Sequence, residues 1–589
     1  MYFFSCTMKK HLEGELMKQF LYGVLGVVFL LVFSACSSNS SSTTSDPLII
    51  DENTTDENTT DDNTTDNNNT FTDAVLHNSS FMTDHFSGSQ KCADCHDGIS
   101  DSTGKDVSIV HSWQSSMMAN AAIDPLWRAK VASEVKRNPT YKDVIEEKCS
   151  RCHTPMANVE AKFAGDKVSL FGNGFFNATN PHYDSAMNGV SCTLCHQIED
   201  TAELGTDDGF SGQFIIAENF STDRKLYGQY TSPVTTPMRN NIEFTPAYSA
   251  HMDESKLCAT CHNLNTPVID AQGNLNGSYF PEQAVYTEWE YSDFNASQSC
   301  QDCHMPKTDG SVIISTRGPS LQARSPFHQH QFIGANTYML DIIKNNRRLL
   351  GALADTASFD ETISNTKDLL LATADLNITQ TSYIDGKLNF TVLLTNHSGH
   401  KFPTSLPSRR AWIHAKVTDT QGLTVFESGA FNSSNAIIGV DENLGVYEPH
   451  YTQITDASQV QVYESIMADT DDSLTYTFMN ASKYLKDNRL LPKGFKVNTP
   501  ANAQPYGEAV NDTDFIGGSD TVTYAVDNLA SGEYLISVTL KYQTLSNGFA
   551  QDLFKDSELP DVALMQALDS NATLKYEMIS SDTASYTLP

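Results

Sequence analysis

One pattern, Cys-X-X-Cys-His, occurs five times in the chain: Cys92-Ala-Asp-Cys95-His96, Cys149-Ser-Arg-Cys152-His153, Cys192-Thr-Leu-Cys195-His196, Cys258-Ala-Thr-Cys261-His262 and Cys300-Gln-Asp-Cys303-His304. Two cysteines three positions apart lie about one helical turn from each other, the separation of the two vinyl groups on one haem edge. The histidine that follows falls beneath the ring and supplies the proximal iron ligand. Zinc pairs, redox dithiols and disulfides share the CxxC element, but none of them demands histidine in the fifth place every time. Of the 12 cysteines, only Cys6 and Cys36 lie outside the pattern. The motifs therefore imply five covalently attached c-type haems, held by the ten motif cysteines, with His96, His153, His196, His262 and His304 as proximal ligands.

The motifs fall within roughly residues 85–305, which leaves about 45 residues per haem, far less than an ordinary domain. The porphyrins must then be the core, with loops and short helices wrapped round them and neighbouring rings close enough for electrons to hop. Six-coordinate irons require five further ligands. Apart from the proximal set and His11, eleven histidines are available: His77, His85, His111, His182, His251, His328, His330, His397, His400, His414 and His450. Nothing forces an iron to stay open.

The stretches His182-Tyr-Asp-Ser-Ala-Met-Asn-Gly-Val-Ser-Cys192 and His251-Met-Asp-Glu-Ser-Lys-Leu-Cys258 resemble the cytochrome c-554 kind of multihaem protein, whose haem packing is shared with hydroxylamine oxidoreductase. In that group a histidine seven to ten residues before a motif caps a neighbouring haem, which implies His182 and His251 as distal ligands. His85, seven before Cys92, has the same upstream placement. Trp113-Gln-Ser-Ser-Met117-Met118 resembles a segment where the group often carries histidine. Met117 or Met118 as an iron ligand would raise that haem's potential; as core residues they would fill gaps. Phe327-His328-Gln-His330-Gln-Phe332 resembles the stretch after the last motif in large exported multihaem cytochromes, which implies His330 as a ligand with His328 as the fallback. Asn396-His397-Ser-Gly-His400-Lys-Phe-Pro resembles the opening of their β-domain; His400, with His397 as competitor, would reach back to a haem. His111, His414 and His450 are read as ordinary surface or core histidines.

The beginning of the chain reads as an export address. From Met17, a short basic start and an apolar run from Phe20 to Phe33 lead to Phe33-Ser34-Ala35-Cys36, which resembles a bacterial lipobox with Cys36 as the acylated residue. Glu13 and Glu15 suit a signal peptide poorly, so Met17 is the expected true start, which removes Cys6. Ser37 implies sorting to the outer membrane. Residues 37–75 carry nine acidic side chains and no Lys or Arg. Their DENTT-type repeat reads as a flexible tether, with or without sugars on Asn53, Asn58, Asn63 and Asn68.

The expected fold class is α+β: a signal peptide (1–36), the tether (37–75), a loop and short-helix pentahaem domain (76–336), a helical connector (337–374) and an immunoglobulin-like β-sandwich (375–589). The connector carries apolar residues at three-to-four spacing, whereas Leu388–Leu394, Ala411–Val417, Leu423–Phe426 and Tyr534–Tyr542 alternate with period two. Asp419-Thr-Gln-Gly422 marks a hairpin. The β-domain is expected to cap the haems; docking or surface binding is the sharper alternative.

With 38 Lys+Arg against 72 Asp+Glu, the formal net charge is −34. That argues against nucleic acid or anionic lipid as partner and for a cationic protein or an external acceptor such as a metal oxide. The expected function is electron transfer by an exported, lipid-anchored cytochrome on the periplasmic or cell-surface face of the outer membrane, an electron carrier more than an enzyme. One alternative is an oxidoreductase with one open haem acting on a small nitrogen or sulfur compound. No CxxCK variant is present, and such an anion would need a local basic pocket, for which Arg409-Arg410 and Arg347-Arg348 are the candidates. A homo-oligomer or haem filament is the third reading.

Overall fold

A computed structural model describes residues 71–218, 224–318, 321–433, 436–441, 443–495, 500 and 503–589. Cys6, His11, Cys36, the signal peptide and nearly all of the tether, with Asn53, Asn58, Asn63 and Asn68, lie outside the described residues.

Each haem-attachment motif closes a short helix. Ser89–His96, Lys142–His153, Lys256–His262 and Cys300–His304 all end on the motif histidine, and His196 caps Cys192–Cys195. This placement follows from the motif, since three residues of one helical turn set the two thiols and the ring on the same end. Local signals start and stop these helices. Ser299 and Asp302, the latter inside the fifth motif, form a reciprocal capping box. After His153 the helix breaks at Thr154, and Pro155 opens the next one at its first position.

Two small sheets punctuate the haem segment: parallel β1 (Arg224–Gly228) with β2 (Phe244–Tyr248), and antiparallel β3 (Asn263–Ile269) with β4 (Leu275–Ala284). The 337–372 stretch forms helices Thr337–Asn345, Arg347–Leu350 and Thr356–Leu371. Beyond it the strands are β5 (Ala374–Ile384), β6 (Lys387–Asn396), β7 (Arg410–Asp419), β8 (Thr424–Ser428), β9 (Gln453–Ile454), β10 (Val462–Ala468), β11 (Lys483–Asp487), β12 (Ser519–Val526), β13 (Gly532–Gln543) and β14 (Glu577–Leu588). One sheet runs β11-β10-β7-β13-β14 with β8 also on β7; the other runs β5-β6-β12-β9. Leu388, Phe390, Val392 and Leu394 from one sheet share a buried cluster with Ile413, Ala415, Ile536 and Val538 from the other, so the two sheets face each other. The strict alternation of buried and half-buried residues along β6 is what one face on a core requires.

The haem segment and the C-terminal region are joined by a continuous core. Leu126, Ile145 and Phe175 lie in one buried cluster with Tyr338, Phe359, Met479, Phe549 and Met565. Two helices that the period-two pattern did not announce, Asn547–Phe554 and Pro560–Asn571, carry part of this contact. Arg137, at the end of helix Pro125–Arg137, clamps it from above: Nη1 to Asp552 at 2.6 Å and Nε to Asp556 at 2.7 Å. Asp556 also accepts from Ser133 at 2.6 Å. Arg137→Ala leaves two nearly buried carboxylates short of a partner and is expected to cost about 2–3 kcal/mol. Thermal unfolding of the holoprotein, followed in the far ultraviolet, checks this; an unchanged midpoint refutes it.

Candidate haem-binding site

None of the ten motif cysteines is paired in a disulfide. Thiols of different motifs neighbour one another: Cys92 and Cys192, Cys152 and Cys261, and Cys258 and Cys300. Cys195 is close to both Cys258 and Cys261. The five motifs thus form one connected array, in which the fourth adjoins the second, third and fifth.

Four of the five motif imidazoles share a second arrangement. Nδ1 of His96 bonds the carbonyl of Ile314 at 2.6 Å, that of His196 the carbonyl of Tyr227 at 2.5 Å, that of His304 the carbonyl of Ile333 at 2.6 Å, and that of His153 the carbonyl of Ala121 at 3.2 Å. A carbonyl only accepts, so Nδ1 carries the proton and Nε2 keeps its lone pair for a metal. Burial keeps the rings neutral. It lowers His153 and His262 to about 4 and pulls His96, His196 and His304 below the usual histidine value. Trp127 stacks on His153 with the ring centres 4.2 Å apart.

Two of the histidines expected as distal ligands stand across from motif histidines. His330 faces His196 with ring centres 6.3 Å apart and planes inclined by 17°. His400 faces His304 at 6.2 Å and 13°. Metal–imidazole bonds run ~2.0–2.1 Å and a ring centre lies ~1.1 Å behind its nitrogen, so two axial rings on one metal sit roughly 6.3 Å apart. Nδ1 of His330 bonds the His328 carbonyl at 3.0 Å, and Nδ1 of His400 the Lys401 carbonyl at 2.9 Å, again favouring Nε2 as the ligating atom. Burial lowers His330 to about 3 and also depresses His400. These residues fit a haem iron between each pair.

One loop serves two motifs. After His330 the chain turns through Phe332 at φ 46°, a left-handed conformation that a bulky side chain rarely adopts, and the next carbonyl, of Ile333, holds His304. The Phe332 ring packs beside Cys92 and Cys192.

The other proposed ligands are placed differently. His85 is buried beside the third motif, its carbonyl bonded by Gln197, with Nδ1 held at 2.9 Å by Glu160 and its ring on Phe163. His251 is fully buried; its Nδ1 meets Ser249 at 2.6 Å and its Nε2 the Ile198 carbonyl at 2.9 Å. His182 turns its Nε2 to Asp166 at 2.9 Å. His251 and His182 thus spend on oxygen the nitrogen that an iron would take. Met118 packs in a cluster with Leu194 and Cys195, and Met117 packs against the joint core. His328, the fallback, bonds the Met305 carbonyl through Nδ1 at 3.0 Å, with Nε2 3.1 Å from Asp253 but not aligned for a hydrogen bond. His397 pairs with exposed Asp375.

Sequence reasoning missed the holders of these rings: the carbonyls of Ile314, Tyr227, Ile333 and Ala121, and the Glu160 carboxylate. Any residue carries a carbonyl, so no side-chain pattern marks them.

His450, Asp512 and Asp520 bring three possible ligand atoms within 4.8 Å in the β-region. The hydrogen bonds argue against a metal there. Nδ1 of His450 accepts from the side-chain amides of Gln461 (2.9 Å) and Asn488 (3.1 Å). Those amides are oriented by backbone N–H groups bonded to their oxygens. The proton is therefore on Nε2, donated to Asp512 at 2.9 Å. The cluster is a buried polar network.

Residues 91–197, which hold the first three motifs, match the family model Cytochrome c554 and c-prime. That stretch of the chain is thus similar to a family of c-type cytochromes. A solved structure, a penta-heme cytochrome c552 from Thermochromatium tepidum, is similar to the chain at 15% identity and a TM-score of 0.46, covering 85% of this chain and 100% of that one. No curated protein matches the chain.

Two outcomes follow. His330→Ala removes one axial imidazole and is expected to convert a single haem to the high-spin ferric form, counted by electron paramagnetic resonance; an unchanged low-spin count refutes its place opposite His196. Burial, reinforced by Asp512 and Asp514, raises Asp520 to about 7 although Tyr463 donates to it. An unfolded aspartate titrates near ~3.9, so the folded state holds this proton more tightly. Stability from this source is full below pH ~4 and is lost as pH rises towards about 7. Asp520→Asn should flatten that decline in a series of melting curves; parallel curves for the two proteins refute it.

Proposed function

We propose that the chain carries five covalent haems and relays electrons along them, as an exported cytochrome of the cell envelope. The observation that supports this most is the thiol array. The two cysteines of each motif hold the vinyl edge of one ring, so neighbouring thiols of different motifs bring haem edges together, the arrangement fast hopping requires.

Bound haem supplies one-electron chemistry at iron. This chain's residues set the conditions for it. Burial holds the imidazoles neutral, carbonyls aim Nε2, and Trp127 and Phe332 limit ring rotation. His330 and His400 close the distal sides opposite His196 and His304, leaving no coordination site for substrate at those two irons. His85, His182, His251, Met117 and Met118 remain the candidates for the other three; His182 and His251 need their present Nε2 contact exchanged, and Met117 or Met118 its sulfur turned towards the iron. A net charge of −34 favours the ferric state and lowers the potentials. The same charge favours a cationic redox protein or an external oxide as partner.

Cys36 supplies the lipid anchor in this reading, the acidic 37–75 segment the tether, and the outer membrane the location, on its periplasmic or outer face. The facing sheets are an immunoglobulin-like cap that delivers His400. The test is a ferric spectrum joined to an intact mass. A mass five haems above the mature polypeptide and five low-spin centres support the relay. A mass short of five, or a native high-spin haem that binds nitrite or cyanide, overturns it.

A further inference from the structure

Four charged side chains are buried around the loop that carries His400. Lys401, Glu288, Asp487 and Arg489 have relative exposures of 0%, 0%, 2% and 6%. Two are cationic and two anionic, so the group is balanced. Lys401 Nζ meets Asp487 Oδ2 at 2.6 Å. Arg489 grips the same carboxylate through Nε and Nη2, both at 2.8 Å, and its Nη2 stands 3.0 Å from Glu288 Oε1 as an ion pair without hydrogen-bond alignment. Burial alone would raise Asp487, but Arg489 and Lys401 outweigh it and hold the carboxyl at about 2.

Glu288 is the one member from the haem segment, on helix Val285–Glu290 just before the fifth motif. Its Oε2 accepts the backbone N–H of Lys401 at 3.2 Å and the hydroxyl of Thr404 at 2.6 Å. Both donors lie within four residues of His400. Lys401 in turn accepts the Nδ1 proton of His400 at its carbonyl. An unbroken run of contacts thus leads from the Glu288 carboxylate to the imidazole facing His304. A quartet of well-packed apolar side chains would be about as stable as these ions, because desolvation offsets much of their attraction. What directional bonds add is a defined loop position, and a ligand ring needs it to within a fraction of an ångström.

We infer that Glu288 is a positioning residue: through Lys401 and Thr404 it holds the His400 loop against the fifth haem, so that the β-region's ligand stays on that iron. This rests on the reading that His400 is the distal ligand opposite His304, and the experiment separates the two. In the full-length holoprotein, His400→Ala, Glu288→Gln and Thr404→Val are compared by the low-spin count in ferric resonance spectra and by the number of ferrous haems that bind carbon monoxide. His400→Ala is expected to open one haem fully. Glu288→Gln, which keeps the shape but loses the charge and one acceptor, should open the same haem partially, with carbon monoxide uptake at least tenfold faster than in the parent. Thr404→Val should do so to a smaller degree, and it decides the matter if Glu288→Gln fails to accumulate. If His400→Ala opens a haem while the other variants keep the parent's count and uptake rate, the positioning role is wrong and the ligand assignment stands. If His400→Ala opens none, the assignment itself is wrong.

Discussion

The haem segment depends on a bond that no motif contains: the Nδ1–H of a proximal imidazole to a main-chain carbonyl. In four of the five motifs it fixes the tautomer, aims Nε2 and ties the motif to another stretch of chain. The carbonyl that holds His96 belongs to Ile314, 218 residues away. The Tyr227 carbonyl, at the end of a strand of the β1–β2 ribbon, holds His196. Without these bonds the helices ending on the motif histidines would be short and isolated, below the length at which a helix persists alone. With them, the five motifs converge into one array whose thiols meet across motif boundaries.

Burial does the complementary work. A charged imidazole has no free lone pair at both nitrogens, and desolvation disfavours the charged form. The five motif histidines, together with His330 and His400, are all pulled below the usual histidine value, with burial the largest cause in each. His450 shows the contrast. It is as deeply buried and also lowered, to about 4, yet two amide donors occupy its Nδ1 and an aspartate takes its Nε2 proton. Burial makes a neutral ring; only its neighbours decide whether that ring is left as a ligand.

Much of the β-region was legible as alternation, because a strand with one face on a core repeats every two residues, as β6 and β12 do. The helices Asn547–Phe554 and Pro560–Asn571 were not, although they share a buried cluster with helix Pro125–Arg137. Their burial is set by that partner, which local periodicity does not report. The joint core also explains how a loop at the start of the sandwich comes to lie against the fifth motif: Glu288 and Tyr484, among others, bridge the two regions.

The sequence by itself pointed to covalent haem, because the residues such attachment needs stand in five consecutive positions and the pattern recurs five times. It also narrowed the distal ligands to a small set of histidines and methionines. Only the tertiary structure separates them by position: His330, not His328, stands opposite His196, and His400, not His397, opposite His304. The same structure turned His182 and His251 towards oxygen partners. The reason is physical. A covalent motif is satisfied within one helical turn, whereas an axial pair requires two distant segments to stop at one separation, and that distance is set by the packing and hydrogen bonds of everything between them.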